Sequence, residues 1–240
     1  MADRVMAIPD PPITTRPPRR EYEVKFPVPQ ARVPLLIQWL AAHCRPHPEY
    51  PGAEISSVYY DTPDWELLNE KVNSDYFKAK VRLRWYRVGA ATSRAWMEAK
   101  IKEGSRRLKL RCATEHEGER LLSTPLDSPL YTGALAALRE KTAFANRLTP
   151  VYQITYRRLR FCHRFSPSVF CLDHAITIPR VHPGRMRLHR PDPLPWAVLE
   201  QKGPLEELDP LLGGAHYFRL QKRAFSKYMS AYFWLMNQPH

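Results

Sequence analysis

The sequence predicts an α+β fold: an antiparallel sheet of roughly eight strands closed into a barrel, its charged face inside and helices on its flanks. Two observations carry this prediction. Charged and apolar residues alternate strictly in segment after segment, the period-two signature of strands. The charged sides also repeat the same kind of charge, and a sheet with so many like-signed residues on one face repels itself unless something anionic sits there. Curling that face inward, around phosphate and a metal ion, resolves both observations.

The first strand is Glu21-Tyr22-Glu23-Val24-Lys25-Phe26, with Glu21, Glu23 and Lys25 on one side and Tyr22, Val24 and Phe26 on the other. Ahead of it, residues 1–19 contain Pro9, Pro11, Pro12, Pro17 and Pro18 without periodicity. This predicts a disordered Pro/Arg-rich leader before a single domain over 20–240. Val33, Leu35, Leu36, Trp39 and Leu40 then recur at helical spacing, ending near Cys44. Ile55 to Asp61 reads as the second strand, and a short helix follows from about Trp65 to Val72.

The densest alternation comes next. Lys80, Arg82 and Arg84 stand opposite Val81, Leu83 and Trp85; Glu98, Lys100 and Lys102 stand opposite Met97, Ala99 and Ile101; and Arg107, Lys109 and Arg111 share a third face. Gly89 and Glu103-Gly104 supply turns, so these strands form a meander with a basic face. Residues 116–148 become helical in character, with Leu135, Leu138 and Phe144 as an apolar stripe. Val151 to Phe161 returns to strand, with Tyr156, Arg158 and Arg160 on one face. Val169 to Ile176 follows, carrying Asp173, and Trp196 to Gly203 turns Glu200 and Lys202 together. A helix from about Ala224 to Trp234 closes the chain, with Phe225, Met229, Tyr232, Phe233 and Met236 along one side.

A hydrophobic content of 44% is ample for a core, and 37 Lys+Arg against 24 Asp+Glu leave a formal net charge of +13. That balance favours polyanionic partners. Cys44, Cys112, Cys162 and Cys171 show no C-x-x-C spacing, so reduced buried thiols are expected rather than zinc or a disulfide framework. No secretory h-region and no membrane-length apolar run is present, which predicts a cytoplasmic chain without a membrane span. Neither G-x-x-x-x-G-K-[ST] nor G-x-G-x-x-G occurs, so P-loop and Rossmann folds have no support.

The charged face gathers Lys25, Lys80, Arg82, Arg84, Lys100, Lys102, Arg107, Lys109, Arg111, Arg158, Arg160 and Lys202 against Glu21, Glu23, Glu98, Asp173 and Glu200. Unpaired buried charges cost several kcal/mol each. Filled with a triphosphate or a longer phosphate chain, the same groups make charge-assisted, often bidentate hydrogen bonds. The carboxylates offer hard oxygen ligands to Mg²⁺ or Mn²⁺. Each piece has a plainer reading on its own. Glu21 and Glu23 suit a solvated edge strand, Arg82 and Arg84 suit an RNA backbone, and His116-Glu117-Gly118-Glu119 matches no ligand spacing and reads as surface. The conjunction across strands carries the case. Acids inside the groove and the scarcity of aromatics among its bases disfavour nucleic acid.

Glu21-Tyr22-Glu23-Val24-Lys25 resembles the E-x-E-x-K signature of triphosphate tunnel metalloenzymes, which include the CYTH proteins. Val58-Tyr59-Tyr60-Asp61-Thr62, Arg82-Leu83-Arg84-Trp85-Tyr86, Glu98-Ala99-Lys100, Tyr156-Arg157-Arg158, Leu172-Asp173, Val198-Leu199-Glu200-Gln201-Lys202 and Phe225-Ser226-Lys227-Tyr228 follow the motif order of one branch, the VTC-type polyphosphate polymerase domain. The similarity covers about residues 20–235.

The resemblance implies an eight-stranded antiparallel triphosphate tunnel and metal-dependent chemistry on triphosphate. In this branch, the terminal phosphoryl of ATP passes to a growing polyphosphate chain. It assigns Lys25, Arg82, Arg84, Lys100, Lys109, Arg158 and Lys227 to gripping phosphates, with Lys80, Lys102, Arg111, Arg160, Lys202 and Ser226 as further substrate contacts. Glu200 is the implied leading metal ligand, supported by Glu21, Glu23, Glu98 and Asp173. Where the branch carries an arginine before its L-D motif, this chain has Val169, with Arg160 on the adjacent strand as the candidate replacement. The expected activity is a polyphosphate polymerase using Mn²⁺ or Mg²⁺. The alternatives are a triphosphatase on the same scaffold and a non-catalytic polyphosphate or nucleic-acid binding module. The sequence identifies no protein partner.

Overall fold

A computed structural model describes residues 22–139, 141–142, 145, 147–187 and 192–236; the expected leader over 1–19, Glu21 and Phe144 lie outside them. In chain order the strands are β1 (Tyr22–Pro29), β2 (Arg45–Pro46), β3 (Gly52–Asp61), β4 (Phe77–Val88), β5 (Ala91–Thr92), β6 (Arg94–Glu103), β7 (Arg106–Glu117), β8 (Thr149–Cys162), β9 (Val169–Val181) and β10 (Trp196–Gly203). The helices are α1 (Val33–His43), α2 (Glu66–Val72), α3 (Gly118–Ser123), α4 (Pro129–Gly133), α5 (Ala136–Arg139) and α6 (Lys227–Met236). One antiparallel sheet runs β1-β10-β9-β8-β3-β4-β6-β7, with β2 added to β8 and β5 to β4.

Which face turns inward follows from where the apolar residues can be covered. On the outside of β4 and β6, Val81, Leu83, Trp85 and Met97 pack against Leu121, Tyr131, Leu135 and Leu138 from the α3–α5 segment. Pro34 lies in the first turn of α1, where its missing N–H is harmless. That helix sets Val33, Leu36 and Leu40 against Val24, Phe26, Phe170, Leu172 and Leu199. Each such side chain contributes about 1.5–3 kcal/mol on full burial. With its apolar side capped by helices, the sheet has only its concave side left for the charged residues.

The predicted closed barrel is corrected in one respect. Among the described residues β1 and β7 do not pair, so the sheet is curled but not closed by hydrogen bonds. The edge of β1 explains why. The Lys25 carbonyl points away from β10 and accepts from Arg223 N–H at 3.0 Å. With a period of two, Pro27 and Pro29 share that outward side, and neither has an N–H to donate. A proline-blunted edge cannot continue a ladder. Side chains span the gap instead: Glu23 of β1 reaches to 4.0 Å from Lys100 of β6.

Other elements differ in detail. The last helix begins at Lys227 rather than near Ala224, and it buries Lys227, Tyr228, Ala231 and Leu235 while Phe233 and Met236 stay exposed. Tyr228 fixes its rotation by stacking on Tyr59 and Tyr152, centroids 5.1 and 5.3 Å away. The Tyr228 hydroxyl also donates to Asp61 at 2.5 Å. In α1 it is Leu36, not Leu35, that faces the core. β7 runs on through His116 and Glu117 before three short helices begin. No helix among the described residues is long and apolar enough to cross a membrane.

Candidate functional site

The concave side of the sheet encloses a cavity of about 280 Å³. Inward positions of β1 (Glu23, Lys25), β3 (Tyr59), β4 (Lys80, Arg82, Arg84), β6 (Glu98, Lys100), β7 (Lys109, Arg111), β8 (Tyr156, Arg158) and β10 (Glu200, Lys202) line it. Phe225, Ser226 and Lys227 cover it from the C-terminal segment. Ten Lys or Arg residues thus face three Glu.

Cross-strand register sorts these charges into two clusters centred on acids and one rank of lysines. In the first cluster Glu98 stands between Arg82 and Arg111 as a direct partner of both. Its carboxylate lies 2.7 Å from Arg82, 3.8 Å from Arg84 and 3.7 Å from Arg111. Burial pushes the Glu98 carboxyl up, but the three guanidiniums outweigh it and hold the group at about 2. Arg84, 7% exposed, is itself fixed by donating to Ser57 Oγ at 3.0 Å and to the Tyr156 hydroxyl at 3.2 Å.

The second cluster forms around Glu200 and Asp173. Arg158 donates to both oxygens of Asp173 at 2.5 and 2.6 Å and reaches Glu200 at 3.4 Å. Lys227 lies 2.5 Å from Asp173 and 3.5 Å from Glu200. Burial alone would raise both carboxyls. Arg158 and Lys227 hold Asp173 below the usual range, and Lys227, Arg158 and Lys25 hold Glu200 well below it. Lys25 stands between two acids, 3.1 Å from Glu23 and 3.6 Å from Glu200. Glu23 is held at about 2, the effect of burial and of Glu200 being outweighed by Lys25, Lys100 and Lys202.

In the rank only Lys100 meets an acid among the described residues, Glu23 at 4.0 Å. Lys80 pairs with Lys100, and Lys100 with Lys109, directly across β4, β6 and β7. Like charges in that arrangement repel. Among the described residues Lys80 has no carboxylate within salt-bridge distance; burial, then Arg82, Lys25, Lys227 and Lys100, hold its ammonium well below the ordinary lysine range. A second cavity of about 450 Å³ continues from this rank, sharing Glu23, Lys25, Lys80, Lys100, Phe225 and Ser226 with the first. Lys71, Lys78, Lys102, Arg107, Lys222 and Arg223 line it, with Glu23 as its one acid among the described residues.

The structure therefore brings Lys25, Lys80, Arg82, Arg84, Lys100, Lys109, Arg111, Arg158, Lys202, Ser226 and Lys227 to the first cavity and Lys102 to its continuation. Arg160 is placed elsewhere. Its guanidinium donates to the Tyr50 carbonyl and lies over the Tyr50 ring, 5.7 Å from its centroid. Ser57, Tyr59 and Tyr156 join the site without a charge to mark them in the sequence. The signal available was their shared alternation: Ser57 and Tyr59 stand opposite Arg84 and Arg82 in register, and Tyr156 shares the face of Arg158.

The carboxylates do not assemble as a five-membered metal set. Glu21 lies outside the described residues, Glu98 is enclosed by arginines, and Asp173 is fully buried with both oxygens taken. No group of three Asp, Glu, His or Cys side chains that could hold a metal occurs among the described residues. Glu23 and Glu200, which share Lys25, remain. Two carboxylates fit Mg²⁺ or Mn²⁺ in the mode in which phosphate oxygens and water complete the shell.

The VTC domain model matches residues 20–236. No curated protein sequence matches the chain. Among solved structures, a candidate adenylate cyclase from Bacillus halodurans superposes with a TM-score of 0.53 at 15% identity, over 89% of this chain and 97% of that one. The PH1819 protein of Pyrococcus horikoshii gives 0.48 at 10% identity, over 88% and 98%. The Bacillus protein shares the fold; at that identity the likeness extends no further.

Proposed function

Because the chain belongs to the VTC domain family, we propose that it is a metal-dependent phosphotransferase that makes inorganic polyphosphate from ATP. The observation that carries this reading is the excess of ten cations over three acids around one concave cavity, with Arg84, Arg158 and Lys227 buried. An excess of that size is stable only with a polyanion among it. Arg82, Arg84, Lys100 and Lys109 grip the triphosphate from the β4–β6–β7 wall, and Lys25, Arg158 and Lys227 from the opposite wall. Lys80, Arg111, Lys202 and Ser226 add contacts inside, and Lys102 leads into the adjoining passage.

In the transfer, a terminal oxygen of the growing chain forms a bond to the γ-phosphorus while the bond to the β–γ bridging oxygen breaks. ADP leaves and the chain lengthens by one phosphate. No protein nucleophile is needed, since phosphoryl transfer depends on positioning and on neutralising charge over the equatorial oxygens. Fixed guanidiniums supply that neutralisation without reorganising during the reaction, because Glu98, Asp173, Ser57 and Tyr156 already hold them in place. Glu23 and Glu200 would hold a Mg²⁺ or Mn²⁺ ion, which would supply Lewis-acid neutralisation of developing charge.

The test is to incubate the protein with ATP and Mn²⁺ and resolve the products by gel and by phosphate release. Long chains plus ADP are expected. Free phosphate without chains would replace this reading by a triphosphatase, and unchanged ATP by a polyanion-binding module.

A further inference from the structure

Phe225 borders three cavities. Two are the basic cavity and its cationic continuation; the third, of about 480 Å³, lies along the free edge of β1. Its lining is chemically different from the other two. Trp196 and Phe218 supply aromatic faces, Arg32, Arg219 and Arg223 supply guanidiniums, and no acid occurs among the described lining residues. Trp196 is 46% exposed, a large apolar surface left uncovered.

The aromatics sit on fixed supports. Trp196 opens β10 as the register partner of Pro29, and Gln30 N–H donates to the Pro195 carbonyl at 2.8 Å to hold that corner. Phe218 meets Trp39 of α1 edge-on, centroids 6.1 Å apart. Arg219, the next residue, takes the left-handed conformation at φ 50°, one that non-glycine residues seldom adopt. Beyond it the Arg223 N–H is tied to the Lys25 carbonyl, so the segment bearing Arg219 and Arg223 is anchored to the same strand whose Lys25 lines the basic cavity.

We propose that this third cavity is a nucleobase subsite, taking the purine ring of a nucleoside triphosphate whose phosphates lie in the basic cavity beyond Phe225. Every base has a π-face that stacks on aromatic rings and guanidinium planes. The volume is within the range of small-molecule sites. Arginines without acids beside them also favour a ligand that carries phosphate with its ring. The inference rests on the triphosphate reading of the basic cavity, and it assigns the nucleotide, rather than inorganic triphosphate alone, as the ligand the chain is shaped for.

The test compares inorganic tripolyphosphate with ATP by titration calorimetry on the wild type, Trp196→Ala and Trp196→Phe. Trp196→Ala is expected to weaken ATP by about fivefold to a hundredfold, the range for loss of one base stack, while tripolyphosphate affinity stays within about twofold. Trp196→Phe, which keeps an aromatic face, should retain most of the ATP affinity. Equal losses for both ligands, or an unchanged ATP affinity in Trp196→Ala, would overturn the subsite while leaving the basic cavity intact. Failure of tripolyphosphate to bind the wild type would instead strike the triphosphate reading itself.

Discussion

Arg158 and Asp173 face each other as register partners across β8 and β9, the guanidinium meeting both carboxylate oxygens at 2.5 and 2.6 Å. Asp173 is fully buried, and its second oxygen also receives Lys227. The pair is a fixed floor on which two cavity-lining cations are held in place. Removing the acid leaves both buried cations only their longer contacts to Glu200, at 3.4 and 3.5 Å, and breaking a buried pair in this way costs about 3–5 kcal/mol. Asp173→Asn should therefore lower the urea midpoint by that equivalent, with an unchanged m-value showing that the folded state is otherwise intact.

Acid should unfold the protein through its paired carboxylates. Glu23 and Glu98 are held at about 2 in the folded chain, below their ordinary value of 4.5. A depressed folded value stabilises above the unfolded value and is lost as pH falls toward the folded one. Stability should thus decline between about pH 5 and pH 2. In Glu98→Gln it should start lower at neutral pH and fall less steeply, which denaturation at several pH values would measure. Parallel curves for the two proteins would remove Glu98 from the acid response.

Binding of a polyanion should take up protons. Lys80 is held well below the ordinary lysine range by burial and by its cationic neighbours, and a phosphate chain beside it reverses the second effect. Its value rises on binding, so protons are absorbed at a pH between the free and bound values, and affinity weakens as pH climbs past the free-state value. Calorimetry of tripolyphosphate in two buffers of different ionisation enthalpy should show the uptake, and Lys80→Met should show less of it.

Tyr156→Phe removes the hydroxyl that accepts from Arg84 at 3.2 Å. A hydrogen bond to a charged group is worth about 1.5–3 kcal/mol. The expected result is tripolyphosphate binding weakened by about tenfold or more, with far-UV circular dichroism unchanged.

Glu200→Ala tests the metal assignment. Loss of Mn²⁺-dependent turnover with retained secondary structure is expected. Full turnover in the variant would place the metal elsewhere.

Much of this site was legible strand by strand. Lys80, Arg82 and Arg84 stood together because alternation is a property of a single strand, and the apolar partners Val81, Leu83 and Trp85 marked the side that helices would cover. Alternation was silent on uncharged participants such as Ser57 and Tyr59. It also placed Arg160 with Arg158, whereas β8 carries Arg160 to the end joined by β2, where Tyr50 claims it.

What the chain determined by itself was the sorting of charge from apolar surface along each strand, and with it a basic concave face. Only the folded structure decided which charges meet: three arginines on Glu98, Arg158 and Lys227 on Asp173, Lys25 between two glutamates, and, among the described residues, no acid for Lys80. It also left the seam at β1 open where prolines face outward. The physical reason is that alternation is read within a few neighbouring residues, whereas register, curl and the seating of α6 depend on contacts between residues far apart in the chain.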